Sequence, residues 1–522
     1  MAGRSRVELR GEFSLGPPPG SSYALTLTRE GELHMERLGG LDPPLPAPAP
    51  LLLSDCISCC SSRGRDAGDP AGYLSLVCYP TRRRAGGGPA ARRREAPVFR
   101  VLVSPDPAEN LRVAELWARR IRQLDPRGPP HPRDHGPSGI FLPRPSRVLV
   151  LLNPRGGTGR ALKLFEQRVQ PMLAEADVAF TLLLTERPNH ARELVREVEL
   201  ARWDALVVMS GDGLMHEVVN GLMERPDWET AIRKPLCTLP GGSGNALAAS
   251  VNHYAGNEQV TNEELLTNCT HLLCRGLLAP MDLLSLQTAS GRRLFSLLSL
   301  AWGFIADVDV ESEKYRRLGE TRFTLGTLLR LAALRTYKGR LAYLPREGPT
   351  PPAPASSDPS PPVSGSDDPS PPASGPKDSL LVPLEQPVPA HWTVVPEEDF
   401  VLVLALLQSH LGTEMRTAPM ARGADGIIHL FYVRAGISRV SLLRLFLAME
   451  RGAHLDQGCT HLVHVPVSAF RLEPRAGRGM LTVDGEVMPT EAVQGQVHPG
   501  LCRIVGGIPE PSLGGGAATP AS

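Results

Sequence analysis

The stretch Ala205-Leu206-Val207-Val208-Met209-Ser210-Gly211-Asp212-Gly213-Leu214 decides the fold. Its opening residues are apolar without alternation, which is how a strand covered on both faces of a sheet reads. Glycines on either side of one aspartate then make a tight turn, and apolar residues at helical spacing run on through Met223. The same succession recurs along the neighbouring sequence. Residues 147–152 are an apolar run ending in Gly156-Gly157-Thr158-Gly159 and a helical stretch to about residue 174. Residues 180–184 precede a helix around 191–200, and residues 235–239 end in Gly241-Gly242-Ser243-Gly244 and a further helix. Strand and helix in alternation predict an α/β fold with a parallel sheet and crossover helices. Such sheets bind ligands at the carboxyl ends of their strands, where these turns fall.

The turns suit a polyphosphate. Glycine turns that open helices offer bare N–H groups and a positive dipole end to phosphate oxygens. None is a P-loop, since Gly-x-x-x-x-Gly-Lys-Ser/Thr is absent, and none is the dinucleotide Gly-x-Gly-x-x-Gly. A single glycine turn means only a tight connection; three in register across one sheet predict a phosphate cradle. Asp212 has two readings. An aspartate entering a helix is commonly an N-cap, but one flanked by glycines also lets a hydroxyl and a phosphoryl group approach it, as a general base for phosphoryl transfer requires. Glu217, in the first turns of the next helix, either reaches the same site or is a solvated helix carboxylate.

Outward from this region the chain divides. Its 522 residues exceed what one core supports. Its 51 glycines and 52 prolines, well above the usual ~12% of a chain, gather in stretches that mark linkers. Residues 1–125 form an N-terminal extension, 126–145 a linker, 146–279 the nucleotide-binding domain and 280–508 an antiparallel β-sandwich. Residues 509–522 are a flexible tail. A Ser/Pro/Asp-rich insertion at 346–378 is expected to be disordered, with Ser360-Pro361 and Ser370-Pro371 as phosphorylation candidates. In the extension, strand-like runs at 23–27, 33–37, 73–79 and 98–103 precede a helix at 108–124 carrying Leu111, Leu116, Trp117 and Ile121 at helical spacing. That pattern resembles a pleckstrin-homology-like module.

Charge and cysteine content narrow the class. A net charge of +1 gives no bulk attraction to nucleic acid or to an anionic membrane, so any such contact must be local. Arg82-Arg83-Arg84 and Arg92-Arg93-Arg94 read either as a lipid-headgroup loop or as solvated charge. The helix at 324–336 sets Leu325, Leu328, Leu329 and Ala332 on one stripe beside Arg330, Arg335 and Lys338. It is a core helix, a membrane-facing gate, or a calmodulin-type target. Nine cysteines without paired spacing predict a reducing, cytoplasmic setting, and Cys56-x-x-Cys59 lacks the second pair of a zinc site. No apolar run approaches the ~20 residues that span a bilayer.

The three turns, read as Asn153-Pro154-Arg155-Gly156-Gly157, Ser210-Gly211-Asp212-Gly213-Leu214 and Pro240-Gly241-Gly242-Ser243-Gly244-Asn245, resemble the nucleotide-site motifs of the diacylglycerol-kinase-like lipid kinases. Ser210 before the Gly-Asp-Gly and Leu214 after it are similar to the sphingosine kinases. So are Thr185-Glu186-Arg187, the run from Ser299 through Trp302 to Asp309, and Val483-Asp484-Gly485-Glu486. The resemblance covers about residues 143–506 apart from the insertion and follows the shorter vertebrate form; the extension looks more like that of the longer form and of ceramide kinase.

The resemblance implies an ATP- and Mg2+-dependent kinase acting on the primary hydroxyl of sphingosine and sphinganine, with Asp212 as the base. Asn153, Pro154, Arg155, Thr185, Glu186, Arg187, Pro188, Asn189, Glu217, Gly242, Ser243 and Gly244 would line the ATP site. Arg316 and Arg322 would meet the phosphates, and the turn Asp484-Gly485-Glu486 would close the site. Asp309 would pair with the lipid ammonium, with Ser210, Gly211, Gly213 and Ser299 near the lipid head. It further implies peripheral contact with anionic lipid, recruitment to plasma or endosomal membranes, and no nucleic-acid partner. Gly241 stands where relatives more often have alanine, and Pro188 stiffens a loop that relatives close over adenine. The rival readings are a ceramide or diacylglycerol kinase and a non-catalytic lipid-binding adaptor. Against the first stands Asp309, which diacylglycerol would leave without a cationic partner.

Overall fold

The computed structural model describes residues 6–16, 21–38, 49–64, 66, 68–83, 88–124, 145–312, 321–346, 375–475 and 479–506, with backbone alone at 262 and 321–325. The N-terminal segment folds into a seven-stranded antiparallel sheet closed by the helix Pro107–Leu124. Trp117 and Ile121, spaced one turn apart on that helix, are buried, and the Trp117 ring meets Phe13 edge-on at 5.0 Å. The predicted strands and helix are present. The strands Val7–Leu15 and Cys56–Arg63 were not foreseen, because serines and arginines interrupt their alternation.

This module is docked on the nucleotide domain. Arg275 is buried and donates from Nη1 to Leu53 O at 2.9 Å and Cys56 O at 3.2 Å. Tyr79 Oη donates to Glu175 at 2.9 Å, and Tyr79 and Ile57 belong to the nucleotide domain's apolar core. In the arginine runs Arg83, Arg93 and Arg94 are exposed, as solvated charge would be, but most of the described arginines also pair within the chain. Arg82 pairs with Glu95 at 2.9 Å, Arg92 with Asp55 at 2.7 Å and Arg94 with Glu175 at 2.7 Å. Arg83 reaches Glu258 at 3.4 Å, and Arg84 lies outside the described residues. These charges are spent on carboxylates within the chain, two of them on the neighbouring domain.

The nucleotide domain has the predicted parallel sheet, in the order Ala179–Leu184, Arg147–Leu152, Ala205–Ser210, Leu236–Pro240. Ala205–Ser210 is buried along its whole length, as its unalternating sequence requires. A fifth neighbour comes from the far end of the chain. The 13-residue strand Val493–Val505 lies parallel to Leu236–Pro240 at Ile504 and antiparallel to Leu278–Thr288 and Leu462–Pro474. This strand therefore joins the parallel strands and those of the sandwich into one continuous 15-stranded sheet and fixes the sandwich against the nucleotide domain.

In the sandwich, Trp302, Phe400 and Phe470 are fully buried between the layers. The helices Phe304–Ser312 and Arg439–Met449 cover the outer face, with Phe304 stacked on Phe446 at 5.3 Å. Residues 347–374 of the expected insertion, including Ser360 and Ser370, lie outside the described residues. Its end does not match the expectation. Asp378 is anchored by Ser285 and Gln287, each at 2.6 Å, and pairs with Arg293 at 2.9 Å.

Asp282, on Leu278–Thr288, is buried and accepts from the N–H groups of Gly426 at 2.6 Å and Gly500 at 2.7 Å. Burial pushes its carboxyl up to about 7 in spite of those two donors, with Asp425 adding and Arg346 opposing. The unfolded chain releases this proton near ~3.9. Between that pH and about 7 the folded state holds the extra proton, so this group's stabilisation is lost as pH rises. The thermal midpoint of Asp282→Asn is therefore expected to fall less than that of the parent from about pH 5 to about pH 8. Parallel slopes in the two proteins would place the titration elsewhere.

Candidate active site

The site forms where the glycine turns meet the sandwich. Gly242 packs so closely on Gly211 that a Cβ there would overlap Gly211 Cα, and a Cβ on Gly157 would sit 2.9 Å from Gly242 C. Only bare backbone allows the three turns to come together. Asn245, in the left-handed region at φ 50°, accepts from Gly242 N at 2.9 Å and donates to Gly242 O at 3.0 Å, which locks the third turn. Among the described residues, the N–H groups of Gly157, Ser243 and Gly244 meet no protein acceptor. They are available to a phosphate.

Asp212 is the first residue of the helix Asp212–Met223, and its carboxylate caps a different helix. Oδ2 accepts from Ala246 N at 2.9 Å and Oδ1 from Leu247 N at 3.0 Å, at the start of Ala246–Tyr254. Asp212 is thus a cap, but of Ala246–Tyr254 rather than of its own helix, where Gly211 holds the N-cap position. A carboxylate offers about four lone-pair sites, so two remain for a hydroxyl after the cap is made. Burial raises the Asp212 pKa, the two N–H donors oppose that, and the Asp484 charge adds to it. A raised pKa suits a general base working near neutrality.

The helix carrying Asp212 is clamped to the sandwich. Asn220 exchanges hydrogen bonds with the Phe295 backbone at 2.9 and 3.0 Å. His216 Nδ1 donates to Asp484 Oδ2 at 3.0 Å. Asp484, at φ 51° in a tight turn, also accepts from Ser296 Oγ at 2.5 Å and from the N–H groups of Leu298 and Ser299 at 3.2 and 2.9 Å. Its carboxylate is thus taken by four donors, of which His216 alone crosses from the nucleotide domain. Its turn brings Glu486 against Gly213, where a Cβ would overlap the Glu486 carboxylate, and Gly485 beside Asp309, whose Oδ2 lies 3.4 Å from where a Cβ would stand.

The remaining predicted residues divide between this centre and its walls. Asn153 accepts from Arg155 N at 3.0 Å and holds the first turn, with Pro154 inside it and the Arg155 side chain exposed. Ser210 is buried at the end of its strand, 3.2 Å from where a Gly156 Cβ would be. Thr185 is buried beside Leu152, and Glu186 N donates to His190 Nδ1 at 3.1 Å. Arg187 pairs with Glu193, and Pro188 leads to Asn189 at φ 63°, which precedes His190–Glu197 without a side-chain cap bond. Glu217 is not solvated: its Oε2 accepts from Ala191 N at 3.1 Å. Asp309 is half-buried on Phe304–Ser312. Arg316 lies outside the described residues, and Arg322 lies on Thr321–Ala332 with backbone alone described.

Sequence reading did not single out Thr413, whose N–H and Oγ1 donate to Gly244 O at 3.0 and 2.9 Å, bracing the third turn from the sandwich. Its 169-residue separation from Gly244 leaves no local signal. Asn245 was legible as a residue before a helical run, and His216 and Asn220 as polar interruptions on one helical face.

Comparison with known proteins agrees with this arrangement. Residues 147–286 match the family model of the diacylglycerol kinase catalytic domain. Residues 394–506 match that of the YegS C-terminal NAD kinase beta sandwich-like domain. Human "Sphingosine kinase 1" is 70% identical over 388 residues, covering 74% of this chain and 96% of that protein. The mouse protein of the same name is 67% identical, covering 71% of this chain and 94% of that protein. Human "Sphingosine kinase 2" is 41% identical and covers 96% of this chain and 91% of that protein, so its likeness takes in the N-terminal module as well.

Proposed function

Because the chain belongs to the sphingosine kinase family, we propose that it transfers the γ-phosphate of ATP to the primary hydroxyl of sphingosine or sphinganine, giving the 1-phosphate and ADP. The observation that carries this reading is Asp212, held at a helix N-terminus among three glycine turns with lone pairs to spare. Its carboxylate takes the hydroxyl proton as the oxygen attacks the γ-phosphorus and the bond to the β-phosphate oxygen breaks. The free N–H groups of Gly157, Ser243 and Gly244 meet the phosphate oxygens, and exposed Arg155 adds positive charge beside them. Arg316 and Arg322 are assigned to the same task by resemblance.

Among the described residues no group of three His, Cys, Asp or Glu side chains forms a metal cage. By resemblance Mg2+ would be carried on the nucleotide phosphates with one or two carboxylates, and Glu486, bordering Gly213, is the residue assigned to complete it. The cation would neutralise phosphate charge. Incubation of the full chain with ATP, Mg2+ and sphingosine should yield a lipid heavier by one phosphate, on the primary hydroxyl. Failure to form that product would overturn the reading.

For substrate access we assign the helix Thr321–Ala332. Leu328 and Leu329 are 49% and 50% exposed, Arg335 and Lys338 are exposed nearby, and Leu331 faces the core. Arg330, expected among the flanking cations, is instead buried against Asp307, Tyr337 and Glu311, because two positions past Leu328 a helix has turned inward. We take this apolar patch as the contact with anionic membrane, on a cytoplasmic enzyme recruited to plasma or endosomal membranes; a calmodulin-type partner would compete for it. Leu328→Gln with Leu329→Gln should weaken liposome binding and turnover of membrane-embedded sphingosine by roughly 10-fold. A folded double variant matching the parent in both would rule the helix out.

A further inference from the structure

Behind the third glycine turn, between Ala246–Tyr254 and the sandwich loop 410–416, lies a cavity of about 140 Å³ lined by Asn252, His253, Asn257, His410, Thr413 and Arg416. That is several times the ~10–15 Å³ one water needs. Arg416 Nη2 donates to His253 Nε2 at 3.2 Å, so the proton of a neutral His253 ring sits on Nδ1. Burial and the Arg416 charge lower the pKa of His253, and burial, His253 and Arg416 lower that of His410 to about 3. Both rings are therefore neutral at physiological pH and cannot repel the guanidinium as cations. Arg416 Nε and Asn257 Nδ2 are buried with no hydrogen-bond partner. Among the described residues Arg416 has no carboxylate in ion-pair range. Glu258 stands exposed at the rim, already accepting from Ala90 N at 3.0 Å and Arg83 at 3.4 Å.

A half-buried guanidinium whose acceptor is a neutral imidazole lacks the counter-charge that buried ions normally have. The donors around it are directional, and a tetrahedral oxyanion answers several at once. We propose that this cavity binds one phosphate-class oxyanion, held by Arg416 and Asn257, distinct from the nucleotide's own phosphates. Its occupant is tied to catalysis through Thr413, which shares the loop with Arg416 and donates twice to Gly244 O. A free phosphate ion and the phosphomonoester headgroup of a lipid present the same chemistry here.

The test uses the full chain with its nucleotide site saturated by a non-hydrolysable ATP analogue, so that added inorganic phosphate reports a second site. At constant ionic strength, phosphate should raise the thermal midpoint saturably, and Arg416→Met should weaken the apparent affinity by at least ~10-fold. No saturable rise in the parent, or an undiminished one in Arg416→Met, would overturn the proposal. Should Arg416→Met not fold, Asn257→Leu carries the same expectation. Inorganic phosphate displacing the parent, but not Arg416→Met, from phosphatidic-acid vesicles would identify a headgroup as the occupant. Phosphate binding without displacement would identify the free ion, and both results uphold the site.

Discussion

Asp212→Asn is expected to lower kcat for sphingosine phosphorylation by ~10²–10⁴-fold while KM for ATP stays within a few-fold of the parent. The substitution keeps an acceptor for only one of the N–H groups of Ala246 and Leu247 and sets an amide donor against the other, while it removes the group that takes the proton. Steady-state kinetics with circular dichroism as a folding control decide the point. Near-normal kcat in a folded variant would remove Asp212 from the chemistry. The parent's pH profile carries a second signature. Burial raises the Asp212 pKa, and the base must be ionised to act, so kcat should fall on acidification above the ordinary carboxylate range.

Asp309→Asn is expected to raise KM for sphingosine by ~10–100-fold, the worth of a hydrogen-bonded charge pair, with little change in KM for ATP. Asp309 is half-buried beside Gly485, and the proposed role sets the lipid ammonium against its carboxylate. A substrate lacking the amine should not distinguish the variant from the parent. Equal rises in both KM values would make Asp309 a structural residue.

Much of this architecture was legible because its signals are local. Ala205–Ser210 and its glycine-flanked aspartate carry strand, turn and helix within 19 consecutive residues, from Ala205 to Met223. The joint between domains was not. Val493–Val505 was not among the predicted strands, because Gly495, Pro499 and Gly500 interrupt it, yet it pairs along much of its length, and its bulge against Met281 and Leu283 falls beside Pro499 and Gly500. Phe304–Ser312 was not read as a helix, because Asp307, Asp309 and Glu311 alternate with Val308 and Val310 at the period of a strand. For the site, residue types and turns were evident, while the partners of their side chains were not. Nothing in Asp484 alone announces that its carboxylate is taken by Ser296, Leu298, Ser299 and His216. Thr413 is brought to Gly244 only by the packing of two domains.

The most direct test of the central claim is transfer of radiolabel from γ-labelled ATP to a panel of sphingosine, ceramide and diacylglycerol, presented in identical mixed micelles. A site with Asp212 as base and Asp309 facing the lipid head predicts rapid labelling of sphingosine, with kcat/KM at least ~10-fold above either neutral lipid. Labelling of ceramide or diacylglycerol as fast as sphingosine, or of none of the three, would contradict it.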